Sequence, residues 1–308
     1  MNVAAGPVYH VPVLASVVAD LAAGCRRAVD ATVGGGGHAE LLIEAGAQVL
    51  AFDRDPSAVA AASARLPQDR ATVKLGSFAD AATLNAIRRF EPDFILLDLG
   101  VSSRQLDDPR RGFSFRRGAP LDMRMSGAGA PTAADLLNQR SEAELARVLR
   151  ENADERRARR LARVIVTRRQ RRPFQTADDF VSAIRAALGP ASGPSDFARL
   201  FQALRIEVND ELGQLARALP ALRDALVGAG RLVAISYHSG EHRIIKAAFR
   251  EWARDCICPP RQPVCTCRGR ALGAIDPRRP VRAAAAEIAA NPRARSATLR
   301  GFRMADAT

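Results

Sequence analysis

The chain has 308 residues, enough for one large or two medium domains with a well-buried core. It offers no run of about 18 apolar residues, the length of a membrane span, and its N-terminus lacks the basic lead of a signal peptide. We therefore expect a cytoplasmic protein with no membrane partner. The formal net charge of +13 favours an anionic partner, most commonly nucleic acid. Because only 5% of the residues are aromatic, we expect contacts with phosphate groups to contribute more to binding than base stacking.

The first third of the chain alternates between two hydrophobic periodicities. Apolar runs predict strands near residues 28–31, 48–53, 72–75 and 94–99, with helical patterns between them at 38–46, 56–66 and 79–89. This alternation is typical of a parallel sheet with helices on both faces. We predict an α/β fold of the Rossmann-like kind.

A run of four glycines, Gly34–Gly37, separates the first strand from the first of these helices, and we call it the glycine turn. Glycine allows a sharp turn and close backbone approach to a ligand, and the helix that follows presents unpaired N–H groups to it. The second strand ends in Asp53, where nucleotide-binding α/β folds place an acid for ribose hydroxyls. This pattern alone fits either a dinucleotide or S-adenosylmethionine (SAM).

The pattern changes after the fourth strand, which ends in Asp98. Residues 101–129 are rich in Arg, Asp, Gly and Ser, which indicates a long functional or disordered connection. A capping box at Ser141–Glu144 begins one helix, and Thr176–Asp179 begins another. We predict that residues 116–200 form an inserted helical domain for substrate recognition. Residues 1–115 and 201–308 would form the discontinuous sheet domain.

The last part of the chain returns to the sheet pattern. Leucines near heptad spacing predict one long helix from Phe201 to Leu219, packed in the core. Arg231–Ser236 is predicted as a strand, His242–Trp252 as a helix and Ala297–Met304 as the last strand.

Residues 156–172 contain nine arginines. Arg156, Arg159, Arg160 and Arg163 share one helical face opposite an apolar stripe, and we call these four the arginine face. It is either a solvated surface of an Arg-rich protein or a phosphate-binding surface.

Four of the five cysteines form the pattern Cys256-x-Cys258 and Cys265-x-Cys267. Four thiols in so short a stretch indicate either a tetrathiolate metal site or free, redox-active thiols. The spacing departs from the usual C-x₂₋₄-C of zinc sites, because adjacent side chains on an extended chain point apart. The cluster is remote from the glycine turn, so any metal there would be structural, and we assign no metal ligand to the reaction site. The remaining Cys25 is interpreted as a small buried apolar residue.

Several longer sequence motifs occur along nearly the whole chain, from His10-Val-Pro-Val13 to Arg300. They are Asp98-Leu-Gly-Val-Ser-Ser103, Gln105-Leu-Asp-Asp108, Arg111-Gly-Phe-Ser-Phe115, Pro120-Leu-Asp-Met-Arg-Met125, Phe201-Gln-Ala-Leu-Arg-Ile206, Ser236-Tyr-His-Ser239 and Asn291-Pro-Arg-Ala-Arg-Ser296. Together they closely resemble the RsmH (MraW) family of bacterial ribosomal RNA methyltransferases.

The resemblance implies a class I SAM-dependent methyltransferase domain with an inserted helical domain. It implies an enzyme that transfers the methyl group of SAM to N4 of a cytidine in 16S rRNA, conventionally position 1402, at the decoding centre of the small ribosomal subunit. By the same resemblance the cofactor is bound by Gly36, Gly37, His38, Asp53, Phe78, Asp98 and Gln105.

The residues leave several alternatives open. Asp98, at the carboxyl edge of the sheet, is the candidate catalytic residue, either as acceptor of an N4 proton or only as a cofactor contact. His238 is an alternative base or a structural residue, and Tyr237 stands where the family more commonly has Phe. An NAD-dependent oxidoreductase, a non-enzymatic RNA-binding factor and a DNA or tRNA cytosine methyltransferase are the competing functions. The sequence leaves the oligomeric state open, a homodimer included.

Overall fold

The computed structural model describes residues 12–127 and 129–306, without the side chains of Ser103 and Arg104. His10, where the resemblance begins, lies outside these residues. The chain divides into two compact units. The sheet unit runs up to Gly100 and resumes at Leu212, and the helical unit is Val101–Glu211. The sequence expectation placed the domain limits at 116 and 200, and the assignment of substrate recognition to that segment stays a prediction.

Among the described residues, one eight-stranded sheet forms the centre of the sheet unit. Its strands are β1 (Arg27–Asp30), β2 (Gln48–Asp53), β3 (Ala71–Leu75), β4 (Phe94–Asp98), β5 (Arg231–Ser236), β6 (Gly273–Ile275), β7 (Val281–Arg282) and β8 (Thr298–Met304). The order is β3-β2-β1-β4-β5-β8-β6, and β7 pairs with β8 outside this path. β1 to β5 run parallel, and β8 is antiparallel to its three partners. The predicted Rossmann-like α/β fold is confirmed.

Helices cover both faces of this sheet, as the continuous apolar runs of the central strands require. They are α1 (Ala15–Ala22), α2 (Gly37–Glu44), α3 (Pro56–Arg65), α4 (Ala81–Phe90), α11 (Glu211–Asp224), α12 (Ser239–Trp252) and α13 (Ala285–Ala290). Successive residues of β4 alternate between two buried clusters. Leu96 packs with Leu42 of α2 on one face, and Leu97 packs with Leu219 of α11 on the other. No helix in the described ranges is long and apolar enough to cross a membrane.

The helical unit has its own apolar core. Its helices are α5 (Ser103–Asp107), α6 (Ala133–Gln139), α7 (Glu142–Ala153), α8 (Ala158–Arg169), α9 (Ala177–Leu188) and α10 (Pro194–Val208). Ser141 forms the predicted capping box of α7, and Thr176 forms a capping box with Asp179 at the start of α9. The connection predicted over 101–129 contains α5, a 3₁₀ helix at Pro109–Arg111 and a bridge from Pro120 to Thr176.

The prediction of one long helix from Phe201 to Leu219 is wrong, because α10 ends at Val208 and a separate helix, α11, begins at Glu211. Asn209 is buried, and its side chain accepts a hydrogen bond from the Met125 N–H (2.8 Å) and donates one to the Met123 carbonyl (2.7 Å). Asp210 has a φ of +47°, which a helix does not allow. The leucine pattern carries no sign of this break, since the partners of Asn209 are far away in sequence.

Candidate active site

The parallel register places the ends of several strands along one edge of the sheet. Asp30 pairs with Ala51 of β2 and Leu96 of β4, and Asp98 pairs with Ile235 of β5. The carboxyl ends of β1, β2, β4 and β5 therefore lie side by side, and ligands of open α/β sheets bind there. Three carboxylates, Asp30, Asp53 and Asp98, meet at this edge.

The glycine turn connects this edge to the first turn of α2. Gly36 has a φ of +84°, a conformation that side chains disfavour. A Cβ on Gly37 would lie 3.3 Å from the Pro12 ring. Gly36 is the N-cap of α2, so the N–H groups of Gly37 and His38 lack partners within the helix. Small residues and free backbone donors at one turn are suited to a polar ligand group.

The Asp53 carboxylate is fixed by backbone donors on both sides. Its Oδ2 accepts a hydrogen bond from the Gly34 N–H (2.9 Å), and its Oδ1 accepts one from the Asp55 N–H (2.9 Å). Burial raises the pKa of this carboxyl, and these two backbone donors partly offset the effect. Each oxygen keeps acceptor capacity for a further donor such as a ribose hydroxyl.

Asp30 is the most deeply buried acid of the group, at 1% exposure. Its Oδ1 accepts a hydrogen bond from the Thr32 N–H (3.1 Å), whereas its Oδ2 has no protein partner among the described residues. Burial raises the pKa of this carboxyl to about 7, against a lowering by His38. A buried carboxylate oxygen without a partner is costly. A cationic ligand group at this position would remove that cost.

Asp98 is held by two side chains that the sequence interpretation did not assign to the site. The Tyr237 hydroxyl donates a hydrogen bond to Asp98 Oδ1 (2.8 Å), and the Asp98 N–H donates one to Thr32 Oγ1 (2.7 Å). The Asp98 side chain is 24% exposed, so a substrate can reach it. Burial raises the pKa of Asp98, while His38 and the Tyr237 hydroxyl partly offset the increase.

His38 is buried, and both of its ring nitrogens face protein atoms. Nε2 lies 2.9 Å from the Val13 carbonyl oxygen, and Nδ1 lies 3.4 Å from Asp98 Oδ2. A carbonyl oxygen only accepts, so Nε2 donates its hydrogen to Val13, and Nδ1 faces the Asp98 carboxylate. The His38 ring therefore orients Asp98, and its backbone N–H remains the group available to a ligand.

Phe78 lies just beyond β3, partly buried against the cluster that covers one face of the sheet. Its neighbour Ser77 donates its hydroxyl hydrogen to Gln214 Oε1 (2.7 Å) and its N–H to Asp80 Oδ2 (2.8 Å). These bonds fix the loop that presents the aromatic ring.

Gln105 belongs to the helical unit, unlike the other predicted cofactor residues. It is buried at 6% exposure, and its Oε1 accepts a hydrogen bond from the Ser102 N–H (2.9 Å) while its own N–H donates to Ser102 Oγ (3.2 Å). This reciprocal pair stabilises the start of α5.

His238 precedes α12 and stands beside the buried Glu241. The N–H groups of Tyr237 and His238 both donate to Glu241 Oε2 (2.8 and 3.3 Å). The His238 Nε2 lies 3.2 Å from Glu241 Oε1 but in an orientation that makes no hydrogen bond. Glu241, which the sequence interpretation missed, thus fixes the turn that carries Tyr237.

An open depression lies at the opposite, amino edge of the sheet, lined in part by Asp93, Arg231 and Arg303. The acids described above are absent from its lining. Ligands of parallel α/β sheets bind at the carboxyl edge, so the candidate site is the one around the glycine turn.

Arg159, Arg160 and Arg163 of the arginine face are exposed on α8, whereas Arg156 is exposed in the turn before this helix and does not share its face. Arg163 lies 3.6 Å from Glu142, whereas no carboxylate among the described residues pairs with Arg156, Arg159 or Arg160. Other arginines of this stretch have structural roles, such as Arg169, which donates to the Leu137 carbonyl (2.9 Å). These contacts separate the surface arginines from the structural ones.

The residues around the glycine turn suit SAM. The buried Asp30 Oδ2 without a partner fits the ammonium of its methionine portion, and Asp53 has acceptor capacity for ribose hydroxyls. Gly36 allows the positive φ of the turn, and Gly37 allows the turn to pack closely against the Pro12 ring.

Comparisons with known proteins agree with this geometry. A model of the MraW methylase family matches residues 7–305. The ribosomal RNA small subunit methyltransferase H of Gemmatimonas aurantiaca is 55% identical over 303 residues, which cover 96% of each chain. The methyltransferase of the same name from Heliobacterium modesticaldum is 45% identical over 306 residues, covering 95% of this chain and 97% of that one. The chain belongs to the MraW methylase family, and its cofactor is S-adenosyl-L-methionine.

Proposed function

We propose that this methylase transfers the methyl group of SAM to N4 of a cytidine in 16S rRNA, the nucleotide at position 1402 of the decoding centre. The names of the two relatives support small-subunit ribosomal RNA as the substrate. The observation that carries the proposal is the convergence of Asp30, Asp53 and Asp98 around the glycine turn. We expect the protein in the cytoplasm, where small subunits are assembled.

The cofactor contacts are assigned from the local chemistry of each residue. The N–H groups of Gly37 and His38, with Gly36 as the open turn, face the carboxylate end of the cofactor. Asp53 accepts ribose hydroxyls, and Phe78 packs on the adenine.

Asp30 and Gln105 complete the proposed set. Asp30 pairs with the ammonium group of the methionine portion, which removes the cost of its unpartnered oxygen. Gln105 is included by its resemblance to the family pattern.

The reaction needs alignment and removal of one proton. When bound, SAM supplies a methyl group already activated on a sulfonium. The N4 lone pair of cytosine is delocalised into the ring. A base that accepts an N4 proton localises this lone pair on N4 as the N–C bond forms. The protein holds the two reactants in line, and such orientation can contribute roughly 7–11 kcal/mol.

We assign the proton acceptor to Asp98. Its carboxylate stands at the strand end beside the cofactor residues, is partly exposed and is oriented by Tyr237 and His38. His238 is 9% exposed and lies against Glu241, an arrangement that favours a structural role.

The helical domain, residues 116–200, is proposed to hold the RNA through the arginine face. Arg124, in contrast, makes two hydrogen bonds to Asp122 (2.8 and 2.7 Å), so it is engaged within the protein. Arg159 and Arg160 are exposed and carry no carboxylate partner in the described ranges. They are the residues that phosphate binding should use.

Arg159→Ala with Arg160→Ala tests this surface. We expect weaker binding of unmethylated 30S subunits and a log Kd versus log[salt] slope lower by about 1 to 2, because two phosphate contacts are lost. The matched control is Arg88→Ala with Arg89→Ala, an exposed pair on α4. An unchanged salt slope in the α8 variant, or an equal loss in the control, would reject the arginine face as an RNA contact.

Mass mapping of modified nucleosides tests the function itself. A strain that lacks this gene should lose N4-methylation at position 1402 of 16S rRNA, and wild-type protein should restore it whereas Asp98→Ala should not. Restored methylation in DNA or tRNA instead would place the protein in another methyltransferase class. Binding of subunits without methyl transfer would favour the assembly-factor alternative. Tight NADH binding without SAM binding in calorimetry would favour an oxidoreductase.

Oligomeric state is independent of this assignment. A homodimer remains a prediction, and light scattering of the purified chain measures it.

A further inference from the structure

The four clustered cysteines lie in the connection between α12 and β6, in the sheet unit. Their Sγ atoms converge. Cys265 Sγ lies 3.8 Å from Cys256 Sγ, 3.8 Å from Cys258 Sγ and 3.5 Å from Cys267 Sγ, and Cys267 Sγ lies 3.9 Å from Cys256 Sγ. All four sulfur atoms lie within 4.8 Å of one another.

These separations fit a single tetrahedral metal ion. Zn–S bonds of about 2.3 Å in a regular tetrahedron place sulfur atoms about 3.8 Å apart. Four of the six separations, at 3.5 to 3.9 Å, scatter around this value, and the other two are at most 4.8 Å. A disulfide needs sulfur atoms at about 2.05 Å, so the four cysteines are unpaired thiols at ligand spacing.

The convergence of the four sulfur atoms overturns the argument that the C-x-C spacing is unsuited to a zinc site. Adjacent side chains point apart only on an extended chain, and residues 256–267 form bends and turns without a strand. The Ile257 N–H also donates a hydrogen bond to Cys267 Sγ (3.3 Å). Backbone N–H groups directed at sulfur stabilise a metal-bound thiolate.

The surrounding connection is held by hydrogen bonds rather than by an apolar core of its own. Ile257 is 36% exposed and Val264 is 71% exposed, so the segment buries little apolar surface of its own. It is tied to the end of α12 by bonds from Arg268 to the Arg254 carbonyl (3.2 Å) and from the Leu272 N–H to the Trp252 carbonyl (2.9 Å). Small segments without a core are commonly stabilised by a structural metal.

Local charge also suits a zinc tetrathiolate. A Zn²⁺ ion with four thiolates carries a net charge of −2, and binding releases four thiol protons to solvent. Arg254, Arg261, Arg268 and Arg270 lie within or directly beside this segment, against the single acid Asp255. Nearby cations therefore compensate the charge of the complex.

We propose that Cys256, Cys258, Cys265 and Cys267 bind one structural Zn²⁺ ion, which fixes the connection that leads from α12 to the edge strand β6. The site is separate from the methyl-transfer chemistry at Asp98, and it does not depend on the identity of the substrate.

Metal analysis of the full-length protein tests the proposal. Wild-type protein, purified under reducing conditions without chelator, should contain one zinc per chain. Cys256→Ser and Cys267→Ser should each lose it, whereas Cys25→Ser, at the thiol outside the cluster, should retain it. Replacement by Co²⁺ should give the ligand-field spectrum of a tetrahedral tetrathiolate.

A wild-type measurement protects the test against variants that fail to fold. Blocking the thiols with a mercurial reagent should release one zinc per chain, measured with a colorimetric chelator. The proposal is overturned if the wild-type protein contains no stoichiometric metal, if it contains iron instead of zinc, or if all four thiols react at once with Ellman's reagent in the native protein. Loss of zinc equally in Cys25→Ser would also overturn it.

Discussion

Asp53→Ala is the most informative single change at the cofactor site. The side chain accepts hydrogen bonds from the N–H groups of Gly34 and Asp55 and, in the proposed complex, from ribose hydroxyls. A hydrogen bond to a charged group contributes about 1.5–3 kcal/mol, and each 1.4 kcal/mol corresponds to a factor of ten in affinity. Loss of one such bond should raise the Kd for S-adenosylhomocysteine by about 10- to 100-fold.

Isothermal titration measures this effect, with Asp69→Ala as the matched control, because Asp69 is an exposed acid in the turn after α3. Asp53→Ala also removes the acceptors of the Gly34 and Asp55 N–H groups. A looser glycine turn could therefore weaken binding even if the ribose did not contact Asp53. The 2′,3′-dideoxy analogue of the ligand separates the two causes. Wild-type protein should bind this analogue more weakly than the parent ligand, whereas Asp53→Ala should bind both almost equally.

The reasoning would be refuted by an unchanged Kd in Asp53→Ala. It would also be refuted if wild type and variant lost the same factor with the dideoxy analogue, because the ribose would then not contact Asp53.

Three further changes test the electrostatics and the packing. Burial raises the pKa of Asp30 from 3.8 to about 7. Between pH about 4 and 7, the cofactor-free folded state therefore keeps a proton that the unfolded chain has already lost. Its unfolding free energy should therefore fall as pH rises through that window, by up to about 4 kcal/mol from this group, and Asp30→Asn should lose this component in urea titrations; equal pH dependence in both proteins contradicts the assignment. Tyr237→Phe removes the donor that partly offsets the raised pKa of Asp98, so the acid limb of the methyl-transfer pH profile should move to higher pH while activity persists; an unmoved limb argues against Asp98 as proton acceptor. Asn209→Ala leaves the Met125 N–H and the Met123 carbonyl without their partner, and urea unfolding should show a loss of about 2–4 kcal/mol; a loss below about 0.5 kcal/mol would mean that Asn209 does not hold the break between α10 and α11.

Much of the fold could be predicted from local sequence. Apolar runs predict β1, β2, β4 and β5, and helices begin where expected at the Ser141 capping box and at Thr176. The short strands β6 and β7 were missed. They carry too few residues for a periodic pattern, and pairing with β8 alone defines them.

The sequence predicts individual residues of the candidate site but not the contacts that join them. Tyr237 stands where the family more commonly has Phe, and the sequence interpretation did not assign it to the site. Its hydroxyl in fact bonds to Asp98, 139 positions away along the chain. The unpartnered oxygen of Asp30 and the orienting contact of His38 likewise exist only in three dimensions.

The sequence by itself determined the order of elements, the glycine turn and the acids at the strand ends, because periodicity, capping and turn chemistry depend on residues a few positions apart. Only the tertiary structure decided where α10 ends, which group orients Asp98 and whether four cysteines meet. Asn209 ends its helix through partners 84 and 86 positions away, and the thiols converge because the chain bends between them. Neither contact leaves a local pattern, since burial and hydrogen bonding between distant segments are settled when the chain packs.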